Sequence, residues 1–313
     1  MNKDIFGGRR PSCDELLDFA QSQPLESLCD YADFFRRKFQ GNFVDTCAIM
    51  NARSGRCSED CKWCAQSAHN PTGCKVYAAV SASEALSACQ KAKSCGVRRF
   101  SLVTSGRTLS EEDTFKMAEA FRKMSELGGI GLCGSFGLLT REQFEVLYEA
   151  GMRRFHCNLE TAPSFFANLC TTHTIEDKIA SIRAARSVGM SICSGGIIGM
   201  GESFAQRVEL ACTLADLEAD SIPLNILQPI KNTPLENAQP LSREEILRAV
   251  AVFKIANPRA DIRFAGGRAA LSGFERDAMK SGASAFITGD MLTTAGSAVA
   301  RDFQMLSDFG YEH

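Results

Sequence analysis

The chain has 313 residues, of which 45% are hydrophobic and 23% are charged, and this composition is typical of a globular protein. Its 35 basic and 37 acidic residues give a formal net charge of -2, which argues against nucleic-acid binding through a basic surface. No apolar run approaches the roughly 18 residues that a membrane span needs, and the first residues do not resemble an export signal. We therefore expect a cytoplasmic protein that binds neither membranes nor nucleic acid.

Cysteine is the residue that departs from an ordinary composition, with 14 in the chain. In a reducing compartment, such thiols more often bind metal, carry out redox chemistry or fill the core than form structural disulfides. The number of cysteines does not distinguish between these roles. Their positions in the sequence have to do so.

Apolar, β-branched segments alternate with segments of helical periodicity along most of the chain. Eight candidate strands span residues 44–50, 99–104, 129–134, 153–158, 190–194, 221–226, 261–265 and 285–288. Capping residues such as Ser110 and Thr140 open the helical segments between them. The glycines that close such segments are Gly128, Gly151, Gly189 and Gly282.

Eight strands with crossover helices over about 250 residues predict an α/β fold, a (β/α)8 TIM-type barrel. An open, doubly wound sheet is the alternative, because hydrophobic periodicity does not reveal whether a sheet closes. Polar residues at the strand ends favour the barrel, whose enzymes keep their sites there. We predict a helical N-terminal extension at 1–40, opened by a capping box of Ser12 and Glu15, and a barrel domain at 41–313.

Three cysteines follow the first predicted strand at the spacing C-x3-C-x2-C: Cys57, Cys61 and Cys64. This spacing can turn three thiolates toward one point. A tetrahedral zinc site needs a fourth ligand, which no nearby histidine supplies. A cubane iron–sulfur cluster held by three thiolates instead leaves one iron open to a chelating cofactor. Core cysteines and a zinc loop with a distant fourth ligand are the alternatives.

With this loop the sequence resembles the radical S-adenosylmethionine enzymes, and among them most closely the biotin synthase family, from about residue 39 to 310. The segments that carry the resemblance are 57–67, 156–161, 193–202, 223–227, 231–235 and 292–294. The resemblance implies that the three cysteines hold a 4Fe-4S cluster whose open iron chelates S-adenosylmethionine. One electron then cleaves that cofactor to methionine and a 5'-deoxyadenosyl radical, and sulfur is inserted into dethiobiotin to form biotin.

The resemblance also assigns residues to the cofactor. Trp63 packs by the adenine, and Asn158 and Glu160 hold the ribose hydroxyls, a task that suits amide and carboxylate groups. Without a cofactor, Asn158 and Glu160 are a solvated polar pair at a strand end. Lys178 stands where the family usually has an arginine near the cofactor's carboxylate, so the charge is kept and the bidentate fork is lost. The glycine-rich segment 193–202 lacks the spacing of a dinucleotide fingerprint and predicts close backbone approach to S-adenosylmethionine.

The family's sulfur donor is a second, sacrificial iron–sulfur cluster deep in the barrel, usually held by three cysteines and an arginine. Cys133, Cys193 and Arg263 match that ligand set. Ser101 stands where the remaining cysteine is expected, so the usual two-iron cluster is in doubt.

Barrel geometry offers Cys47 as the replacement. Inward side chains of such a barrel form layers drawn from alternate strands. The residues on the first, third, fifth and seventh predicted strands are Cys47, Cys133, Cys193 and Arg263. We therefore predict that Cys47 supplies the missing thiolate of an auxiliary cluster that is 2Fe-2S or larger. Cys157 is the second candidate, although it points outward if Asn158 and Glu160 point inward.

By the same resemblance, Asn158 and Asn225 bind the ureido ring of dethiobiotin. Thr293 and Thr294 receive its carboxylate, unless they only cap the next helix. A reducing electron donor such as flavodoxin or ferredoxin and a homodimer are also implied. Two rival interpretations remain open. One is a related radical enzyme of the hydrogenase-maturation or methylornithine-synthase type, and the other is a non-catalytic iron–sulfur carrier.

Overall fold

Parallel strands form one sheet that closes on itself in the computed structural model, which describes residues 6, 9–289, 292 and 298–313. The strands are β1 (Asp45–Arg53), β2 (Arg99–Thr104), β3 (Gly131–Ser135), β4 (Arg154–His156), β5 (Ser191–Cys193), β6 (Gly196–Ile198), β7 (Ser221–Ile226), β8 (Asp261–Phe264) and β9 (Ala285–Ile287). Neighbouring strands follow the order β5-β4-β3-β2-β1-β9-β8-β7-β6, and β5 also pairs with β7. This last pairing joins the two ends of the sheet, so the predicted (β/α)8 barrel is confirmed and the open sheet is excluded.

The strands β5 and β6 occupy one position in the barrel, because only Ser194 and Gly195 separate them. A Cβ atom on Gly195 would lie 2.0 Å from the carbonyl oxygen of Pro223, and one on Gly196 would lie 2.6 Å from that of Glu160. The two glycines therefore let neighbouring protein backbones approach each other. The sequence predicts backbone approach to a cofactor here, whereas protein backbone is what these two glycines meet.

Helices surround the barrel. They are α1 (Cys13–Ser22), α2 (Leu25–Gln40), α3 (Ala82–Ser94), α4 (Glu111–Ser125), α5 (Arg141–Glu149), α6 (Pro163–Phe166), α7 (Ile175–Ser187), α8 (Phe204–Asp216), α9 (Arg243–Ala256), α10 (Glu275–Lys280) and α11 (Val299–Phe309), with a 3-10 helix at Arg268–Leu271. The predicted capping residues Ser12, Ser110 and Thr140 all accept a hydrogen bond from the backbone of the helix that they precede. Among the described residues, no helix is long and apolar enough to cross a membrane.

The helices α1 and α2 lie within the predicted N-terminal extension and pack on α8 and α9 of the barrel. Cys13 of α1 and Cys212 of α8 form a disulfide, with their Cα atoms 6.1 Å apart. The sequence assigns these two cysteines no chemistry and favours free thiols. They are separated by 199 residues, and only the packing of α1 on α8 brings them together. The division at residue 40 into extension and barrel domain stays a prediction.

Candidate active site

One cavity of about 420 Å³ occupies the barrel interior and the loops at the carboxyl ends of the strands. Its wall contains every predicted site residue that the structure describes: Cys47, Cys57, Cys61, Trp63, Cys64, Cys133, Asn158, Glu160, Lys178, Cys193, Asn225 and Arg263. Thr293 and Thr294 lie outside the described residues. Residues far apart in sequence thus share one space, as expected for a barrel enzyme.

We call residues 57–64, with Cys57, Cys61 and Cys64, the cysteine loop. Hydrogen bonds to residues that follow it in the sequence hold this loop in place. The backbone N–H of Cys57 donates to the carbonyl of Gln66 at 3.0 Å, and that of Ala68 donates to the carbonyl of Cys57 at 2.8 Å. The Asn70 amide donates to the carbonyls of Cys61 at 3.1 Å and Cys64 at 2.9 Å. These bonds connect the loop to residues 66–70, within 11 positions of it in the sequence.

The arrangement of the cysteine loop does not suit a single ion. Among the described residues, the one group of ligand atoms that all lie within 4.8 Å of one another is Cys61, Cys170 and His173, and it omits Cys57 and Cys64. A zinc ion would need the three loop sulfurs close together around one centre. A cubane binds each thiolate through a different iron and so separates the sulfurs more widely. The cysteine loop therefore fits a cluster better than it fits zinc.

Glu160 has the features of a residue held for function. It adopts φ 72°, in the left-handed region that non-glycine residues enter at a cost of about 1–3 kcal/mol. Burial raises the pKa of its carboxyl group. Its Oε2 atom is buried and has no hydrogen-bond partner among the described residues. Because a buried acceptor is normally satisfied, this atom fits a hydroxyl donor from a bound molecule, such as a ribose.

Asn158 and Lys178 flank Glu160. The side-chain oxygen of Asn158 accepts a hydrogen bond from the backbone N–H of Gly195 at 3.1 Å. The Lys178 ammonium donates to the backbone carbonyl of Asn158 at 3.0 Å. Burial lowers the pKa of Lys178, but Cys157, Glu160, Cys61 and Cys170 act together against burial and raise the pKa above its ordinary value. Lys178 therefore stays cationic inside the cavity wall.

Cys157 belongs to this neighbourhood and not to the other interior cysteines. It is buried and belongs to the hydrophobic core, as side chains packed between the strands and the surrounding helices do. Its predicted outward direction stays a prediction. Burial raises the pKa of its thiol, and the charged groups that act on it are Lys178 and Glu160.

A second set of sulfurs, which we call the barrel thiols, consists of Cys47, Cys133 and Cys193. Cys47 and Cys133 interact with each other, and this interaction lowers the pKa of Cys133 while raising that of Cys47. The His156 Nδ1 atom lies 3.4 Å from the sulfur of Cys193. Burial opposes ionisation of Cys193, but His156, Arg263 and Arg154 together lower the pKa of this thiol. The predicted grouping of Cys47 with Cys133 and Cys193 is thus present in the structure.

Strand register produces the grouping of the barrel thiols. Cys133 on β3 lies beside Ser101 on β2 and beside Arg154 on β4. Cys193 on β5 lies beside His156 on β4. Ser101 is therefore a direct neighbour of Cys133, and Cys47 reaches Cys133 from β1, one strand further along the sheet.

Arg263 lies near the barrel thiols, but its guanidinium already has protein partners. It donates to the Asp45 carboxylate at 2.5 Å, to the Ser221 hydroxyl at 3.3 Å and to the Phe286 carbonyl at 2.8 Å. Burial lowers its pKa, but Asp45, Cys47 and Cys193 together act against burial and raise the pKa, so the group remains protonated. Its role as a cluster ligand stays a prediction.

Arg154 offers a free donor at the same place. Its Nη1 atom is buried and has no hydrogen-bond partner within the described part of the chain, and the Asp45 carboxylate is 4.0 Å away. A buried guanidinium N–H without an acceptor fits an anion in the cavity. Arg99 is a third cation here and donates to Asp45 at 2.8 Å. The barrel thiols are therefore surrounded by excess positive charge, which suits an anionic iron–sulfur cluster.

Asn225, predicted to bind substrate, has backbone partners on both sides of its amide. Its Nδ2 atom donates to the Gly196 carbonyl at 3.1 Å, and its Oδ1 atom accepts from the Gly266 N–H at 2.8 Å. These bonds orient the side chain across β6, β7 and the segment after β8. The second hydrogen of the amide nitrogen is the group that remains for a ligand.

Sequence reasoning missed several functional neighbours. Arg154 and Arg99 lie on strands beside the barrel thiols, and their inward direction depends on register that periodicity does not give. Cys170 and His173 lie beside Cys61, although the four histidines show no metal-ligand spacing in sequence. The close spacing of Cys170 and His173 was the one available signal.

The fold and the cysteine loop together define a radical S-adenosylmethionine enzyme. Residues 52–213 match the Radical SAM superfamily, and residues 223–312 match the Biotin and Thiamin Synthesis associated domain. A methylornithine synthase structure covers 99% of this chain and 96% of its own, with a TM-score of 0.84 at 17% identity. The FeFe-hydrogenase maturase from Carboxydothermus hydrogenoformans covers 99% and 77%, with a TM-score of 0.83 at 15% identity. These two likenesses show the fold.

Sequence relatives narrow this class. A biotin synthase from Porphyromonas gingivalis is 49% identical, covering 98% of this chain and 94% of that protein. A biotin synthase from Alkaliphilus metalliredigens is 45% identical, covering 99% and 97%. The chain therefore belongs to the biotin synthase family.

Proposed function

We propose that the protein is a radical S-adenosylmethionine sulfurtransferase that inserts sulfur into dethiobiotin to form biotin. The observation that carries this proposal is one cavity whose wall holds both the cysteine loop and the barrel thiols. An enzyme that only generates a radical needs the cysteine loop alone, and a non-catalytic carrier needs no cofactor site beside it. A sulfur donor close to the substrate accounts for the barrel thiols.

The reaction requires radical chemistry because dethiobiotin receives sulfur at carbons with unactivated C–H bonds. No side chain titrates in a range that removes such a proton. When bound at Cys57, Cys61 and Cys64, the 4Fe-4S cluster supplies the electron that cleaves S-adenosylmethionine to a hydrogen-abstracting 5'-deoxyadenosyl radical. The work of this chain's residues is to bind both molecules, orient them and exclude water.

Four residues would hold S-adenosylmethionine. The unsatisfied Glu160 carboxylate oxygen accepts from a ribose hydroxyl, and Asn158 supplies an amide beside it. Lys178, cationic and buried between them, faces the cofactor's carboxylate in place of an arginine. Trp63, directly before Cys64, packs against the adenine.

The barrel thiols would hold the auxiliary cluster, which is 2Fe-2S or larger. Ser101 stands where the family has a cysteine ligand, and Cys47 supplies a thiolate in its place. Cys133 and Cys193 are the other two cysteine ligands, and Arg263 is the fourth ligand. The low pKa of Cys133 favours the thiolate that iron requires. The free Nη1 of Arg154 supports an anionic group at this position.

The remaining assignments follow from family membership. Asn158 and Asn225 bind the ureido ring, and Thr293 and Thr294 bind the carboxylate of dethiobiotin. A flavodoxin or ferredoxin donates the electron, and the protein acts as a cytoplasmic homodimer. Residues 1–40 form an extension that packs on the barrel domain of residues 41–313.

The test is an anaerobic assay of the reconstituted protein with a strong reductant, S-adenosylmethionine and dethiobiotin. We expect 5'-deoxyadenosine to form only when dethiobiotin is present, together with biotin. Deoxyadenosine without any thiolated product would indicate a different radical reaction. No deoxyadenosine under a competent reductant would contradict the proposal.

A further inference from the structure

Arg154 is a buried cation in the cavity wall that the predicted ligand set of the auxiliary cluster does not use. The residue is 8% exposed, and its Nε atom donates to the Ser191 hydroxyl at 3.0 Å. Its Nη1 atom is buried and has no hydrogen-bond partner within the described part of the chain. Because a buried guanidinium is normally paired, this atom indicates an acceptor that the protein itself does not supply.

The Asp45 carboxylate does not fill this position. Its Oδ2 atom accepts from the Nε atom of Arg99 at 2.8 Å and from the Nη2 atom of Arg263 at 2.5 Å. The Nη1 atom of Arg154 lies 4.0 Å from the same oxygen, which is beyond hydrogen-bond distance. Two guanidinium groups are thus paired with this oxygen, and a third lies close to it without a hydrogen bond.

Arg263 shows how a guanidinium at this depth is satisfied by protein alone. Its Nε atom donates to the Ser221 hydroxyl, its Nη1 atom to the carbonyls of Asp45 and Phe286, and its Nη2 atom to the Asp45 carboxylate. These bonds leave one N–H group of the guanidinium for another partner. Arg154 differs because its whole Nη1 group is left.

Strand register places Arg154 beside the barrel thiols. Arg154 on β4 pairs with Cys133 on β3. His156, two residues further along β4, points to the same side of the strand, and its Nδ1 atom lies 3.4 Å from the sulfur of Cys193. Arg154, Cys133 and Cys193 all line the same cavity. The unpartnered donor therefore belongs to the position that the auxiliary cluster would occupy.

We propose that Arg154 donates its free Nη1 N–H to a sulfur atom of the auxiliary cluster that the barrel thiols bind. A cluster sulfide or thiolate accepts such a bond, and a hydrogen bond between charged groups is stronger than one between neutral groups. Arg154 is thus a positioning residue that adds to the predicted ligand set and replaces none of its members. The free donor rests on the geometry of the residues, whereas its acceptor rests on the proposed function.

The test compares the unchanged chain with Arg154→Met, each reconstituted with isotopically enriched iron and sulfide and without substrate. A cation beside a cluster stabilises the more negative, reduced form, and hydrogen bonds to the sulfurs help to set the potential. We therefore expect a lower reduction potential for the auxiliary cluster of Arg154→Met in a spectroelectrochemical titration. We also expect a chelator to remove this cluster roughly tenfold faster or more, because residues that support metal ligands have effects of that size.

Two controls accompany this comparison. The cluster of the cysteine loop is present in the same samples, and its potential and Mössbauer component should not change. Arg154→Lys keeps the positive charge and loses the planar fork, so its auxiliary cluster should lie between those of the unchanged chain and Arg154→Met.

Urea unfolding of the cluster-free chain separates this role from support of the fold. Arg154→Met removes a buried cation whose Nη1 atom has no partner, so its unfolding midpoint should not fall below that of the unchanged chain. Arg259→Met, at an arginine outside the cavity wall, is the control for the loss of one charge. A clear fall of the midpoint in Arg154→Met alone would overturn the proposal, because Arg154 would then support the fold.

An auxiliary cluster with an unchanged potential and an unchanged rate of loss in Arg154→Met would also overturn the proposal and leave the proposed function standing. Weaker dethiobiotin binding by such a variant would assign the free N–H to the substrate instead. An unchanged chain that loads no auxiliary cluster would contradict the proposed function, and this inference with it.

Discussion

The cysteine loop and the barrel thiols are both sets of three sulfurs in one cavity, but the chain assembles them differently. The cysteine loop spans residues 57–64 and is held mainly by hydrogen bonds with residues 66–70, with further bonds to the segment 169–172. The barrel thiols lie on β1, β3 and β5, from Cys47 to Cys193, and are brought together by the register and curvature of the sheet. One site is a property of a short segment, and the other is a property of the whole barrel.

Because of this difference, substitutions at the two sites should affect cluster binding and protein stability differently. A change of one loop cysteine should remove the cluster and leave the barrel intact, because the strands of the barrel do not include that segment. A change among the residues that surround the barrel thiols should also affect folding, because charged groups such as Asp45 and Arg263 are buried there and need each other.

The largest expected effect is that of Cys57→Ala. With two loop thiolates left, the 4Fe-4S cluster should not be retained, and 5'-deoxyadenosine formation should fall below detection. Thermal unfolding should change by less than about 1 kcal/mol, since the residue is only partly buried. Iron counts and calorimetry on this variant and on Cys95→Ala measure both effects. Full deoxyadenosine formation by Cys57→Ala would contradict the role of the loop.

The next effect in size is that of Arg263→Met on stability. Removing one partner of a buried ion pair typically costs about 3–5 kcal/mol, and we expect a value near the lower end because Arg99 still pairs with Asp45. Urea unfolding of the cluster-free chain measures this loss. Arg259→Met, at an arginine outside the cavity, is the matched control. An unchanged midpoint for Arg263→Met would show that the surroundings of the barrel thiols do not support the fold as described.

A smaller effect is expected at Lys178, which lies beside Asn158 and Glu160 at the cofactor position. A hydrogen bond to a charged group contributes about 1.5–3 kcal/mol, so Lys178→Met should weaken S-adenosylmethionine binding by roughly tenfold or more. Lys178→Arg keeps the charge and should bind within a fewfold of the unchanged chain. Equilibrium binding with the 4Fe-4S cluster loaded distinguishes these outcomes. Equal affinity for Lys178→Met would remove this residue from the cofactor site.

The same contrast explains what the sequence could predict. The cysteine loop could be predicted from the sequence because its three ligands lie close together in the chain. The eight strands could be predicted from their apolar periodicity. The grouping of Cys47 with Cys133 and Cys193 followed from counting alternate strands, a rule that holds once a barrel is assumed.

Other contacts could not be predicted from the sequence and were found only in the three-dimensional structure. Counting strands did not place Arg154 against Cys133, because a shift of register by one residue reverses which side chains face inward. The approach of Cys170 to Cys61 depends on how the segment before α7 folds over the cysteine loop, and no local pattern encodes such a contact.

The central claim is that the barrel thiols, with Cys47 in place of the missing ligand at Ser101, hold the auxiliary cluster. Mössbauer spectroscopy of protein reconstituted with isotopically enriched iron, unchanged against Cys47→Ser, tests it most directly. We expect Cys47→Ser to lose the auxiliary component, keep the 4Fe-4S component and cleave S-adenosylmethionine without forming biotin. An auxiliary component of unchanged intensity in Cys47→Ser would contradict the claim.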